Sequence, residues 1–340
     1  MNDETPQGDY LWDGSGTPDE DVVRLERQLA RYRSQPALPP LPARLVRVTR
    51  PILHAAMQLG VAAASLVLVA AAAWFAFSIR EEGWTVQSLA GAPVVAGIPI
   101  DAPARLPIGE VITTDARSRA RIDVSTIGYV DVEPDTVLRL LASKAREHRL
   151  ALDRGLIRAR IWAPPRLFFV NTPSSTAIDL GCAYTLQVDE RGYGRVVVES
   201  GWVAFEHKGR ESFIPQDAVC LTRPGVGPGT PCYVDAPEKM QQALTVLDFE
   251  ETDDVRRAEA LETVLSSART KDAFTLWHLL PRVSGAERVK VYDRLASLVP
   301  PPSEARRDRV LAGDRRALDA WWGALGLDSA SWWRIWKRKW

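Results

Sequence analysis

The hydrophobic positions of this chain follow three patterns in succession. Residues 52–79 form an apolar run without a charged residue. From residue 84 to about residue 223, short segments alternate between apolar and polar residues and end at Gly, Pro, Asp or Ser, which is typical of β-strands. From Glu238 onward, apolar residues recur at helical spacing between Asp, Ser, Gly or Pro breaks. The predicted fold class is therefore mixed: an N-terminal helix, one transmembrane helix, an all-β domain (solenoid or sandwich) and a C-terminal all-α domain.

The apolar run at 52–79 is longer than the ~20 residues that a bilayer core requires, so it predicts a membrane-spanning helix. Arg44, Arg47 and Arg50 precede this run, whereas Arg80 alone follows it and is offset by two glutamates. The positive-inside rule then predicts a cytoplasmic N-terminus and places everything after the run on the opposite side of the membrane. A buried helix of a globular domain is the alternative, which an alanine-rich segment apolar on every face does not favour.

Before this run, the sequence predicts one short amphipathic helix. Thr17 is a candidate N-cap, Pro18 suits the first helical position, and Glu20 completes a capping box. Four apolar residues then recur at helical spacing: Val22, Leu25, Leu29 and Tyr32. A single short helix cannot bury this stripe alone, so we expect it to bind a partner, a second copy or a neighbouring segment. A weakly ordered tail is the alternative.

These patterns divide the chain into four predicted segments. They are a cytoplasmic arm with a Pro-rich linker at 1–50, the transmembrane helix at 52–79, the β domain at 84–235 and the helical domain at 236–340.

Composition and charge exclude several classes of function. The chain carries 43 basic and 43 acidic side chains, so it lacks the basic excess that a nucleic-acid-binding protein normally shows. Its four histidines and three cysteines are scattered singly, without the spacing of a metal site. No acid/base or nucleophile constellation emerges from local motifs. The sequence therefore predicts a protein that is not an enzyme and has no cofactor, no metal ion and no nucleic-acid partner.

The β region contains an internal sequence repeat. The segment "RLALDRGLIRARI" at 149–161 aligns with "RVVVESGWVAFEH" at 195–207, and the alignment matches Gly155 with Gly201. Glycine at both corners predicts a positive φ or a close backbone approach there. Two similar corners favour a repeating β arrangement over an arbitrary sandwich.

The order of motifs from Leu106 to Leu221 resembles the FecR family. The motifs are "GEVITTDARSRARIDVSTIGYVDVEPDTVLRLL", "RLALDRGLIRARI", "RLFFVNTPSSTAIDLGCAYTLQV" and "RVVVESGWVAF". This resemblance implies an anti-sigma-factor-like regulator of the bacterial inner membrane with a periplasmic C-terminus. Its cytoplasmic arm would bind a sigma factor, and its periplasmic β domain would receive an envelope signal from an unknown protein or ligand. The C-terminal helices replace the small α/β domain that usually ends such proteins, so a receptor-coupled iron-uptake role is not implied.

A second hypothesis comes from a different class. The chain would then be a membrane-tethered periplasmic scaffold or binding module that regulates no sigma factor. Deleting the N-terminal arm would leave the function of such a module intact.

The cysteines leave alternatives open. Cys182 stands in "GCAY", where the FecR pattern usually has threonine, so we expect a small packed side chain or a disulfide partner there rather than a nucleophile. Cys220 and Cys232 flank a Pro/Gly-rich loop and would close it by a disulfide in an oxidising compartment. A Cys182–Cys220 bond and three free thiols are the competing arrangements.

The C-terminal stretch "SWWRIWKRKW" combines aromatic and basic residues. Trp333, Trp336 and Trp340 recur at helical spacing, with basic side chains between them. Such a helix can lie in a membrane interface, which makes lipid a predicted partner. The favoured alternative is that these rings cover the helical core together with Trp321 and Trp322.

Overall fold

A computed structural model describes residues 15–32 and 83–327. The chain divides into two units, Met1–Ala71 and Ala72–Trp340.

In the first unit, helix α1 spans Glu20–Leu29 and continues as one 3₁₀ turn at Ala30–Tyr32. Its N-cap is Asp19, whose carboxylate accepts a hydrogen bond from the backbone N–H of Asp21 at 3.0 Å. The predicted cap at Thr17 is therefore wrong by two residues. An aspartate satisfies a free N–H of the first turn and also places negative charge at the positive end of the helix dipole.

In the described part of the second unit, residues 83–327, eighteen strands are hydrogen-bonded into one extended sheet. The strands are β1 (Gly83–Ala90), β2 (Val94–Val95), β3 (Ile98–Pro99), β4 (Ala104–Pro107), β5 (Val111–Thr113), β6 (Arg119–Val124), β7 (Gly128–Val132), β8 (Val137–Lys144), β9 (Glu147–Ile161), β10 (Phe168–Asn171), β11 (Thr176–Asp179), β12 (Cys182–Val188), β13 (Gly194–Ser200), β14 (Trp202–His207), β15 (Arg210–Pro215), β16 (Ala218–Arg223), β17 (Gly227–Pro228) and β18 (Cys232–Tyr233). Among the described strands, β9 and β10 pair in parallel and the other pairings are antiparallel.

The long strand β9 folds this sheet over on itself. Its first part pairs with β8 and β10, and its last part pairs with β7 and β12. Leu150 and Leu152 are buried in the first part, whereas Ile157 and Ala159 are buried in the last part, so the buried positions change from even to odd numbers. The change occurs at Gly155, where φ is +100°. The bend therefore lets both parts of the strand face one core.

The bend divides the sheet into two half-sheets. Half-sheet one contains β1, β4, β6, β7, the end of β9, β12, β13 and β16 to β18. Half-sheet two contains β2, β3, β5, β8, the start of β9, β10, β11, β14 and β15. Apolar side chains of both half-sheets form one core cluster between them.

Gly155 is required at the bend because an added Cβ would overlap the backbone and side chain of Thr136. The internal sequence repeat predicts such a close approach at this glycine. Gly155→Ala is expected to lower the free energy of unfolding by about 2 kcal/mol more than Gly97→Ala does. Gly97 is the matched control, since its φ is also positive, at +81°, and open space surrounds its Cα. Urea unfolding of both variants measures the difference. Equal losses would mean that positive φ alone, and not close packing on Thr136, selects glycine at the bend.

Between the last strand and residue 327, where the description ends, the chain forms six α-helices. They are α2 (Glu238–Phe249), α3 (Asp254–Ser267), α4 (Ala273–Leu279), α5 (Gly285–Leu298), α6 (Arg307–Leu311) and α7 (Arg315–Ala324), with 3₁₀ turns at Thr270–Asp272 and Leu280–Arg282. Their apolar faces pack on the outer surface of the last strands and form a second core cluster. Strand β14 lies between the two cores: Val203 and Phe205 belong to the first, and Trp202 and Ala204 belong to the second.

The predicted fold class requires correction. No helix in residues 15–32 and 83–327 is long and apolar enough to cross a membrane, so the predicted transmembrane helix is unsupported. The segment 52–79, on which that prediction falls, lies outside the described residues. The β region is a single folded-over sheet rather than a solenoid or two separate sheets of a sandwich, because β9 runs through both halves. The predicted inner-membrane location and the four domain boundaries stay predictions.

Candidate functional site

Helix α1 exposes the apolar stripe that the sequence predicts. Leu25, Leu29 and Tyr32 are 56%, 58% and 73% exposed, and Val22 is partly exposed. The helix buries none of its own residues. Within the described residues 15–32, the stripe therefore leaves apolar surface in contact with water, which is unfavourable and would be relieved by a partner.

The rest of α1 is strongly polar. Glu20 and Asp21 lie in its first turn, and Arg27 lies in its last turn, in each case with the sign that the helix dipole favours. The guanidinium of Arg31 lies 5.3 Å from the centre of the Tyr32 ring and donates to the Gln28 carbonyl at 3.0 Å. The end of the stripe is thus held by a cation–π contact, while the opposite helix face stays charged.

The predicted Cys220–Cys232 disulfide is wrong, since both residues carry free, buried thiols. Cys232 is paired across the sheet with Val219, and directly opposed residues of neighbouring strands point to the same face. Cys220, one residue further along, therefore points to the other face. Its Sγ–H donates to the Gly229 carbonyl at 3.2 Å, and burial raises the pKa of both Cys220 and Cys232 to about 12.

Cys182 is also a free thiol, and it contacts a buried carboxylate. Asp179, the last residue of β11, is 1% exposed. One of its oxygens, Oδ1, accepts from the Gly181 N–H at 2.7 Å, and the other, Oδ2, accepts from the Cys182 Sγ–H at 2.7 Å. Two consecutive strands of different half-sheets, β11 and β12, are therefore joined at their corner by one carboxylate.

This corner has unusual electrostatics because no cation contacts the carboxylate within the described part of the chain. Burial raises the pKa of Asp179 to about 7, and its hydrogen bonds only partly oppose that shift. Burial, followed by the nearby Asp179 charge, also holds the pKa of the Cys182 thiol well above its ordinary value. A thiol of this kind is a poor nucleophile. Cys182 therefore acts as a small packed side chain that donates a hydrogen bond.

A second buried carboxylate joins the sheet to the helices. Asp248 of α2 is 3% exposed in its side chain and accepts from Arg210 at 2.6 Å and Arg282 at 3.2 Å. Its other oxygen accepts from the Thr230 N–H at 2.6 Å. Arg282 also donates to the Ser212 hydroxyl of β15 at 2.7 Å. This network fixes helix α2 and the turn after α4 against the sheet.

Sequence reasoning missed both buried carboxylates. Asp179 precedes "LG", and an aspartate in that context is typical of an exposed turn. Asp248 lies more than thirty residues from each of its arginine partners, with one before it and one after it. The ion pairs of Asp248 leave no local signal in the sequence, because the tertiary fold alone brings its arginine partners together. The burial of Asp179 likewise depends on the tertiary fold.

The predicted tail residues Trp333, Trp336 and Trp340 lie outside the described residues. Trp321 and Trp322 of α7 are fully buried. The indole of Trp322 packs edge-on against Trp277 with ring centres 4.7 Å apart. Trp321 and Trp322 therefore belong to the helical core.

Within residues 15–32 and 83–327, no group of three or more His, Cys, Asp or Glu side chains is placed to hold a metal ion. The expected lack of catalytic residues, of a cofactor and of a nucleic-acid partner stays a prediction.

Comparisons with known proteins give a weak structural likeness. No family model matches the chain, and no curated protein does. Two crystal structures, each described as a "putative anti-sigma factor" from Parabacteroides distasonis, are similar in part. One is 15% identical and covers 45% of this chain and 73% of its own, with a TM-score of 0.33. The other is 14% identical and covers 46% and 74%, also with a TM-score of 0.33. A likeness at this level carries no assignment of function to the chain.

Proposed function

We propose that this chain is a signalling regulator that binds a sigma factor through α1, in the manner of an anti-sigma factor. The observation that supports this function most is the exposed stripe formed by Leu25, Leu29 and Tyr32. An amphipathic helix that lays such a stripe into an apolar groove is a common mode of protein recognition. The motif order between Leu106 and Leu221, which resembles the FecR family, supports a sigma factor as the partner.

Residues 83–327 would provide the part that receives a signal. The helices and the sheet share a core, and the Asp248 network joins them, so a partner or ligand that acts on the sheet can also affect the helices. The proposal therefore assigns binding to α1 and sensing to the second unit.

The experiment is a binding titration of the full chain with the sigma factor encoded beside its gene. The variant Leu25→Glu/Leu29→Glu keeps good helix formers in α1 but removes the apolar stripe. Each buried leucine contributes about 1.5 to 3 kcal/mol, so affinity should fall at least a hundredfold.

The matched control is Arg24→Gln/Arg27→Gln. It lowers the net charge by two, as the test variant does, but changes only exposed arginines outside the stripe. Its affinity should stay within a few-fold of the unchanged chain. Equal losses in both variants, or no binding of the sigma factor by the unchanged chain, would remove this function and leave the binding-module hypothesis.

A further inference from the structure

The end of strand β9 presents a tryptophan ring to solvent. Trp162 follows Ile161 and is 63% exposed. Its backbone N–H donates to the Ile127 carbonyl at 2.9 Å, and its indole N–H donates to the Thr126 carbonyl at 3.1 Å. The ring of Tyr129 meets it edge-on with 6.3 Å between ring centres. Trp162 is therefore held in one orientation while much of its large apolar surface stays in water.

A cavity of about 530 Å³ lies beside this ring. Trp162 and Ala163 form one side, Gly181 and Cys182 at the start of β12 contribute another, and Glu199 lies across from them. This volume falls within the range of small-molecule sites, which is about 300 to 1,000 Å³. The cavity has one aromatic wall, and polar side chains occupy much of its remaining rim.

The polar side chains that line this cavity include both hydrogen-bond donors and hydrogen-bond acceptors. Arg160 supplies guanidinium donors, Glu199 supplies carboxylate acceptors, and the Ser200 hydroxyl can do both. Among the described residues, the Arg160 guanidinium has no hydrogen bond or ion pair, whereas Arg158, two residues earlier on the same strand, bonds Glu133 at 3.0 Å. Donors and acceptors thus remain available around an apolar ring.

We propose that this cavity binds a saccharide, with the sugar ring stacked on Trp162. The face of an indole carries negative charge density, and the C–H groups of a pyranose carry a small positive charge, so the two surfaces attract each other. The hydroxyl groups around the sugar ring would then bond to Arg160, Glu199 and Ser200. Glu199 already accepts a hydrogen bond from the Thr185 hydroxyl at 3.3 Å through one oxygen. A purely apolar ligand would still desolvate the Arg160 guanidinium and the second Glu199 oxygen without replacing their bonds to water, which is unfavourable.

The neighbouring surface argues against a protein partner at this position. Arg121 and Asp131 form a close ion pair on the same face of the sheet, and Glu133 pairs with both Arg119 and Arg158. The core of a protein interface is depleted in charged residues, so these ion pairs do not suit one. The structure favours a ligand confined to the cavity.

The test is an NMR titration of the full chain with three sugars, each at millimolar concentration: D-glucose, N-acetyl-D-glucosamine and D-glucuronate. At least one should bind saturably and shift the Trp162 indole resonance. Trp162→Ala should weaken that binding about tenfold, and Trp162→Phe, which keeps a ring, should weaken it less. Because Trp162 is largely exposed, thermal unfolding of both variants should stay close to that of the unchanged chain.

The matched pair Arg160→Gln and Arg158→Gln tests the polar contacts. Both changes remove one positive charge from an exposed face of β9, but only Arg160 lines the cavity. Arg160→Gln should lower the affinity of the chain for the sugar several-fold, and Arg158→Gln should leave that affinity unchanged. The proposal is overturned if none of the three sugars binds, if Trp162→Ala binds the sugar as tightly as the unchanged chain does, or if the two arginine variants have the same affinity.

Discussion

Replacing Asp179 by asparagine should remove most of a strong pH dependence from the stability of this chain. Because the pKa of Asp179 is raised to about 7 in the folded state, the folded chain holds a proton there that the unfolded chain has already lost. The free energy of unfolding then falls as pH rises from about 4 to about 7. The loss is about 1.4 kcal/mol per pH unit, or roughly 2.5 to 3 kcal/mol between pH 5 and pH 8. Asp179→Asn stays neutral and should lose this slope.

Urea unfolding at pH 5 and pH 8 gives the change in the free energy of unfolding for each variant. Because the variants are compared with the unchanged chain, the contributions of other titrating groups cancel. Asp189→Asn is the matched control. Asp189 also accepts from the backbone N–H two residues ahead, that of Arg191 at 2.9 Å, but it is exposed to solvent. The control should keep the slope of the unchanged chain. If Asp179→Asn keeps that slope as well, the buried carboxylate is not the group that titrates.

The second large effect is expected at Asp248. Asp248→Asn keeps the shape of the side chain but removes the negative charge that Arg210 and Arg282 share. Burial, together with the neighbouring Arg282 charge, already lowers the pKa of Arg210, so these guanidiniums are costly to leave unpaired. Removing one charged partner of a buried ion pair lowers the free energy of unfolding by about 3 to 5 kcal/mol.

Asp293→Asn is the control for this prediction. Asp293 bonds Arg307 at 3.0 Å but is 57% exposed, so its loss should cost less than about 1 kcal/mol. Urea unfolding of the two variants at pH 7 gives the comparison. Similar small losses in both would show that the Asp248 network does not hold the helices on the sheet.

The sequence predicted local elements better than their arrangement. Period-two alternation identifies strands because side chains alternate between the two faces, but it does not say which strands pair. The predicted repeat matched Gly155 with Gly201, and both have positive φ and a close backbone or side-chain neighbour in the fold. That one strand, β9, belongs to both half-sheets depends on contacts with β7, β8, β10 and β12, which local periodicity does not encode.

The cysteines show the same limit within the candidate site. Cys220 and Cys232 flank a Pro/Gly-rich loop, which is why the sequence predicted a disulfide between them. The register of β16 and β18 pairs Cys232 with Val219, and this one-residue offset sends the two thiols to opposite faces. The stripe on α1 was predictable because it depends only on helical spacing. The position of Trp162 was not predictable in this way, because its ring is oriented by hydrogen bonds to the distant Thr126 and Ile127 carbonyls.

The most direct test of the proposed function is amide hydrogen exchange of residues 20–32 in the full chain, measured alone and with the sigma factor encoded beside its gene. We expect the sigma factor to slow exchange across α1 about a hundredfold and Leu25→Glu/Leu29→Glu to abolish this protection. A complex that forms while exchange across α1 stays unchanged would contradict the account.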